Sequence, residues 1–517
     1  MSNSGSKGIG SIKPLAIGTG KIQFAWVEWS QFQEVETRMH LHLQLDGRGP
    51  LRAQLTRALK SAVFLGRVGQ GGRLPATRLL ARELGVSRNT VLAAYDQLRA
   101  EGFVDGRGGS GSYVVPRLRA VKSSTRVSAE LPAQSAFARR AREIHDHQHM
   151  PGRSIPGMRY SFQYGVPVTN PVLTTAWARE LAHAAAYTAP GYAMSQGLPS
   201  LREAVCEYLA RRRGVQAAPE DVVIVGGTQQ AVALSARVLL DPGDEVILEE
   251  PHYSTMREVL QIHGARVRTI DVDRDGIQCD DLPDCAPRLV CVTPSHQFPS
   301  GAVLSLPRRL ALLDYARRHQ CWILEDDYDG EFRYDAHPLS ALRSLDENGR
   351  VIYVGTFSKV LFPSLRLGYL VVPAGLRDDF INAKWQDDFG CSAIEQAALA
   401  RFMADGGFER HLRRTGKTLR ERRGALLAGL RNCSDGRLEI ADSNAGMHLV
   451  AWFKDKTAAQ GDAFIAHAHS LGLGLYSIAP YYLQPPERAG LLLGYASMPV
   501  AEIGEAVKLF ERCLREC

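Results

Sequence analysis

Residues 73–91 read RLPATRLLARELGVSRNTV, and the fold of the N-terminal region turns on them. Pro75 opens a short helix whose Leu79, Leu80 and Leu84 are apolar, and Gly85 stops it. Ser87 suits the N-cap of a second helix. That helix carries Val91, Ala94, Tyr95 and Leu98 on one face and ends at Gly102. Upstream, Leu51, Leu55, Ala58, Leu59 and Ala62 share one face of an earlier helix, and glycines at 66, 69, 71 and 72 interrupt the chain after it. Downstream, two β-prone runs within Phe103–Val115 flank a Gly-rich turn, the pattern of a hairpin. Helix, sharp turn, helix and hairpin together spell a winged helix-turn-helix.

Charge supports this reading. From Arg48 to Ala120 there are 13 Lys and Arg against 4 Asp and Glu, or +9, whereas the whole chain carries +7, which leaves −2 for the remainder. A basic module on a near-neutral body is suited to a polyanion such as double-stranded DNA. The second helix of such a motif presents its N-terminal residues to base edges in the major groove; here they are Arg88, Asn89 and Thr90. Arg pairs with guanine, Asn with adenine, and Thr with base edges or phosphate. Arg78 suits a phosphate, and Gly111 in the hairpin allows close approach to the duplex. The words Arg73–Arg78, Leu84–Val91, Ala94-Tyr95, Leu98, Ala100-Glu101-Gly102 and Gly109–Ser112 resemble the GntR-type winged helix over residues 43–116. One departure is Ala76, where that family often has Ser, a substitution that weakens a helix cap by about 1 kcal/mol.

With 517 residues the chain is too long for a single core. We divide it into a disordered tail at 1–42 with a candidate start at Met39, the winged helix at 43–116, a partly helical linker at 117–158, and an α/β domain at 159–517. No apolar run is long enough to span a membrane, and the N-terminus lacks the pattern of a signal peptide. Nine cysteines without a Cys-x-x-Cys pair argue for reduced thiols in a cytoplasm, with neither a disulfide framework nor a metal site.

In the α/β region, Val222–Val225, Glu245–Leu248, Leu289–Val292, Trp322–Leu324, Val351–Val354 and Tyr369–Val372 are short apolar runs alternating with helical stretches, the mark of a largely parallel sheet. Ligands of such sheets sit at the carboxyl ends of the strands, and chemistry-bearing residues collect there. Pyridoxal 5'-phosphate needs a lysine amine for its aldehyde, an acid for its ring nitrogen, a donor for its phenolic oxygen, a ring to stack on and a cradle for its phosphate. Lys359 follows one strand; Asp326 and Tyr328 follow another; Tyr253 offers the ring. Gly227, Thr228 and Gln229 open a helix whose N-terminus suits a phosphate, and Thr356 and Arg366 complete the anion site. Taken singly, an acidic loop, a Ser-Lys pair or a strand-to-helix turn is commonplace; the joint occurrence carries the argument.

The set resembles fold type I aminotransferases, and most closely the MocR class of regulators, in which a GntR-type winged helix is joined to such a domain. Further words that carry the resemblance are Tyr192, Gly197–Glu203, Asp241–Asp244, Thr293–Gly301 and Ser364–Tyr369, within a region of about 159–517. The resemblance implies a homodimer in which Tyr192 reaches the phosphate of the other subunit. In two places this chain departs from the aminotransferases. Phe298 stands where they usually have Asn, as is common in MocR-type chains. Leu492 stands where enzymes carry an Arg that grips the substrate's α-carboxylate, a bidentate pairing that leucine cannot replace. The resemblance thus implies a cytoplasmic, pyridoxal-phosphate-dependent transcription regulator that answers a small amine or amino acid. Two alternatives are an active aminotransferase carrying a DNA-binding domain, and a direct sensor of pyridoxal phosphate that controls vitamin B6 genes.

Overall fold

The computed structural model describes residues 41, 43–107, 111–116, 133–144, 152–168, 170–189, 191–334, 339–441 and 444–517. The tail read at 1–42 apart from Leu41, including Met39, lies outside the described residues, as do the hairpin turn 108–110 and residues 117–132 and 145–151 of the stretch read as a linker. By its contacts the chain separates into two units, residues 1–132 and 133–517.

In the first unit, α1 (Leu51–Phe64), α2 (Thr77–Leu84) and α3 (Arg88–Ala100) precede a two-stranded ladder of β1 (Val104–Arg107) and β2 (Gly111–Val114). The ladder is antiparallel, with Val104 opposite Val114. The four apolar residues expected on α3 are all buried. They pack on Leu55, Leu59 and Ala62 of α1 and on Leu80 of α2. Each such fully buried aliphatic side chain contributes about 1.5–3 kcal/mol. Leu51 begins α1 and stays exposed, because the apolar stripe has not yet turned inward there. Gly85 ends α2 in the left-handed conformation, where glycine carries no Cβ penalty. Ser87 caps α3, its hydroxyl accepting from the Thr90 backbone N–H at 3.1 Å. The Tyr95 hydroxyl donates to the Pro75 carbonyl at 2.8 Å, tying α3 to the start of α2 and fixing the angle of the turn. No side-chain hydrogen bond caps α2 at Ala76.

The second unit begins with α4 (Ala136–Ile144), inside the stretch read as a linker. None of its residues is buried. It is held against the C-terminal end of the helix Ser254–His263. Arg140 Nε donates to the Ile262 carbonyl at 2.8 Å, and the Phe137 ring stands edge-on to His263 at 5.5 Å.

The body of this unit is an eight-stranded sheet. Its spatial order is Val222–Val225, Gly368–Val371, Val351–Thr356, Trp322–Asp327, Leu289–Val292, Glu245–Glu250, Arg266–Asp273 and Gly276–Ile277. All six apolar runs read from the sequence are strands of this one sheet. The five strands from Val351–Thr356 through Arg266–Asp273 run parallel. Gly368–Val371 is antiparallel to both of its neighbours. A separate antiparallel sheet of Leu438–Ala441, His448–Thr457 and Arg488–Gly494 lies nearer the C-terminus.

One buried ion pair organises the carboxyl end of the central strand Trp322–Asp327. Successive residues of a strand face opposite ways, so Glu325 and Asp327 share one side and Asp326 takes the other. Arg213 Nε meets Asp327 Oδ2 at 2.6 Å with both side chains buried. The same guanidinium donates to Ser295 Oγ and to the carbonyls of Gly330 and Leu339. Glu325 accepts from the backbone N–H groups of Leu342 and Arg343 at 2.7 and 2.8 Å.

Replacing Phe137 and Arg140 together by Ala should release α4. Hydrogen exchange across residues 136–144 should rise toward that of an isolated short helix, while global stability changes by about 1 kcal/mol or less, since both groups lie at the surface. Unchanged exchange would show that other contacts hold it.

Candidate functional site

The carboxyl ends of the parallel strands open into a cavity of about 310 Å³. Eight of the ten residues expected to hold a cofactor line it: Lys359, Asp326, Tyr328, Tyr253, Thr228, Gln229, Thr356 and Arg366. They come from the carboxyl ends of Val222–Val225, Glu245–Glu250, Trp322–Asp327 and Val351–Thr356, with Arg366 from the turn before the antiparallel strand Gly368–Val371. Asp326 lies opposite Val354, five residues before Lys359.

Lys359 Nζ donates to the Gly165 carbonyl at 2.9 Å. Loss of solvent pushes this amine below the usual lysine range, against the pull of Asp329 and Asp326. Asp326 is buried and its Oδ1 has no hydrogen-bond partner. Burial first, and the neighbouring Asp327 second, push its carboxyl up to about 8. Both shifts favour the uncharged form: the amine gives up its proton more readily, and the acid holds its proton more tightly, than either does in water.

Gly227, which ends the turn after Val222–Val225, has φ +96°. A β-carbon there would lie 3.4 Å from Arg366 Nη1, so the glycine lets the guanidinium close over the first turn of the helix Thr228–Leu239. Arg366 itself adopts φ +52°. A left-handed backbone at a non-glycine residue is uncommon and costs some strain. Thr356 Oγ1 accepts from the Ser358 N–H at 3.2 Å. Tyr253 precedes the helix Ser254–His263 and stands edge-on to Phe298 at 5.9 Å.

Tyr192 is the tenth residue. It is 96% exposed, stands 6.1 Å from the Phe389 ring, and does not line the cavity of its own chain.

The sequence reading assigned no role to a buried group behind Tyr328. The Tyr328 hydroxyl lies 2.9 Å from His296 Nδ1, which also lies 2.9 Å from Asp329 Oδ2. His448, a cavity-lining residue from the distant C-terminal sheet, completes a set of three whose ligand-type atoms lie within 4.8 Å of one another. The two 2.9 Å separations are those of hydrogen bonds, so His296, held by Asp329, orients Tyr328, while His448 Nε2 lies 3.0 Å from the Pro299 carbonyl. Burial pushes His448 down to about 4. His296 sat inside a quoted motif, but no local pattern marked His448.

In the first unit, Arg88, Asn89 and Arg78 are exposed, and Arg88 and Asn89 are the first two residues of α3. Thr90 is half-buried, with its hydroxyl 2.8 Å from Ser87 Oγ, so its side chain serves the helix cap. Gly111 has φ +123°, and a β-carbon there would lie 2.8 Å from Arg73 Nε. The Arg73 guanidinium therefore rests on the wing, a placement the sequence reading did not foresee. Its backbone forms a β-bridge with Tyr113.

Two family models match the chain: bacterial regulatory proteins of the gntR family over residues 51–114, and aminotransferase class I and II over residues 163–472. The probable rhizopine catabolism regulatory protein MocR of Rhizobium meliloti is 38% identical over 90% of this chain and 94% of its own length. The pyridoxine biosynthesis transcriptional regulator PdxR of Corynebacterium glutamicum is 31% identical over 88% of this chain and 96% of its own. Among solved structures, the α-aminoadipate aminotransferase LysN of Thermus thermophilus superimposes with a TM-score of 0.66 at 27% identity, covering 74% of this chain and 97% of that one. Among the described residues, no helix is long and apolar enough to cross a membrane.

The two exposed arginines should separate by gel shift over a series of salt concentrations. Arg88→Ala is expected to cost about 1–3 kcal/mol on the cognate operator and little on unrelated DNA. Arg78→Ala should weaken both alike and reduce the salt dependence by about one phosphate contact. Wild-type behaviour in both variants would refute these placements.

Proposed function

The chain belongs to the MocR class of GntR-family transcription regulators, and from that premise we propose that its aminotransferase-shaped domain holds pyridoxal 5'-phosphate on Lys359 and passes the arrival of a small amine to the DNA-reading unit. The observation that carries this reading is the unpartnered, buried Asp326 Oδ1 facing the same cavity as a lysine amine deprived of solvent. A buried carboxyl oxygen without a partner is costly, and a pyridine nitrogen that shares one proton with the carboxyl would satisfy it.

The residues present fit the cofactor group by group. Arg366, Thr228 and the first backbone N–H groups of the helix Thr228–Leu239 would hold the phosphate, with the space left by Gly227 allowing close approach. Tyr253 would cover the ring. Tyr328, oriented by His296 and Asp329, would donate to the phenolic oxygen. Lys359, whose buried amine gives up its proton more readily than a lysine in water, is made a better nucleophile by its surroundings. When bound, the cofactor supplies an aldehyde that joins amines reversibly and a ring that withdraws electrons. Regulation requires only the first property, which matches a domain built to detect an amine rather than to consume it. A reader of chromosomal operators works in the cytoplasm, where the cofactor is also present.

We further propose that the working form is a homodimer. Tyr187, Tyr192, Met194, Trp385 and Phe389 are exposed, among them the adjoining rings of Tyr192, Phe389 and Trp385. Exposed apolar patches of this kind mark interaction surfaces. A second copy seated there would give Tyr192 a role that it cannot have in its own cavity.

The full-length protein mixed with pyridoxal phosphate should develop a visible absorbance band, and Lys359→Ala should lack it. A wild-type band in the variant would refute the assignment of Lys359, and accumulation of keto acid from supplied amino donors would favour the aminotransferase alternative. Sedimentation should give a dimer, and Tyr192→Ala should lower cofactor retention by about tenfold, the loss expected from one hydrogen bond to a charged phosphate. A monomer that retains the cofactor fully would refute the shared site.

A further inference from the structure

On the reading that the cavity holds pyridoxal 5'-phosphate, we infer that the effector is a primary amine that carries no carboxylate. The inference comes from the distribution of charge around the cavity. Among the described residues, the only lysine or arginine side chains that line it are Lys359 and Arg366. Lys359 sits at the end that meets the aldehyde, and Arg366 closes over the phosphate cradle beside Gly227. Neither remains for a second anion. The acidic lining residues are Glu258 and Asp326, and neither offers a positive partner to a negative group. His448 also lines the cavity, but its burial leaves it uncharged at neutral pH.

Two arginines outside the lining are engaged elsewhere. Arg213 is buried on the far side of the central strand, where it meets Asp327, Ser295 and two carbonyls. Arg423 donates to Asn444 Oδ1 at 2.8 Å and lies over the Tyr334 ring. Behind Phe298, the wall is built of aromatic and aliphatic side chains, with the Tyr164 and Tyr481 hydroxyls bonded to each other. Leu492 is completely buried there with Tyr164, Ile478 and Tyr481. The Phe298 ring stands edge-on to Tyr481 at 5.0 Å, which leaves no route for a cation from that direction. A carboxylate entering this space would surrender its hydration and find no charged donor in return. The neutral hydroxyls of Ser254, Thr255 and Ser358 also line the cavity and suit an uncharged, hydroxylated or apolar body.

The test compares amines that differ only by a carboxylate: ethanolamine against serine, and propylamine against 4-aminobutyrate. Each is titrated into the full-length protein loaded with pyridoxal phosphate, and the visible band is followed. The same titrations of free pyridoxal phosphate correct for each amine's own reactivity toward the aldehyde. After that correction, the member without a carboxylate should act at a concentration lower by about tenfold or more, the penalty for one charge-assisted bond left unmade. An equal response in both pairs, including no response at all, overturns the inference, as does a preference for the acids. Failure of the parent reading looks different: the wild-type protein then forms no visible band that Lys359→Ala removes, and the inference falls with it.

Discussion

The geometry of the cavity depends on the buried pairing of Arg213 with Asp327. Three consecutive acids, Glu325, Asp326 and Asp327, end one strand, and in a strand only alternate members can face the same way. Arg213 and the amides at Leu342 and Arg343 hold Asp327 and Glu325 on one side. Asp326 is thereby left on the other, its Oδ1 without a hydrogen-bond partner. A buried ion pair is weak evidence of net stability, but losing one member strands the other charge at a cost of about 3–5 kcal/mol. Its contribution here is orientation, since a rotation at this strand end would exchange the acid that faces the cavity for one that does not.

Burial prepares the two principal groups in opposite senses. Asp326 is pushed up to about 8 from 3.8. Its native state therefore binds a proton that the unfolded chain has released, and stability falls as pH rises between those values. A cationic or donating partner at Oδ1 would offset this loss, so a group placed there stabilises the fold while it binds. Lys359 is shifted the other way, with the native state favouring the neutral amine. A lysine whose folded value is depressed loses stability as pH falls through the range between its unfolded and folded values.

The helix Ser254–His263 has two different neighbours. Several of its residues, from Ser254 to Ile262, line the cavity, and its C-terminal end holds α4 through Arg140 and Phe137. α4 lies in the stretch of chain between the DNA-reading helices and the sheet. One helix thus touches both the cavity and that stretch.

The sequence by itself determined the local structure and the chemical inventory. Apolar spacing, Gly85 and the Ser87 cap set out the helix-turn-helix, because helix faces and caps are decided within a few residues. Six apolar runs announced six strands of one sheet, and eight of ten named residues came together at their ends, because parallel strands gather whatever follows them. The tertiary structure alone decided the contacts between distant residues. His448 joins His296 across about 150 residues. Arg73 rests on the wing at Gly111, Arg366 takes a left-handed turn to reach Gly227, and Leu492 is sealed beneath Phe298. Tyr192 faces outward although its motif places it with the cofactor group. Such pairings leave no periodic signature along the chain; they follow from how the sheets and helices stack, which the spacing of residues within any one element does not encode.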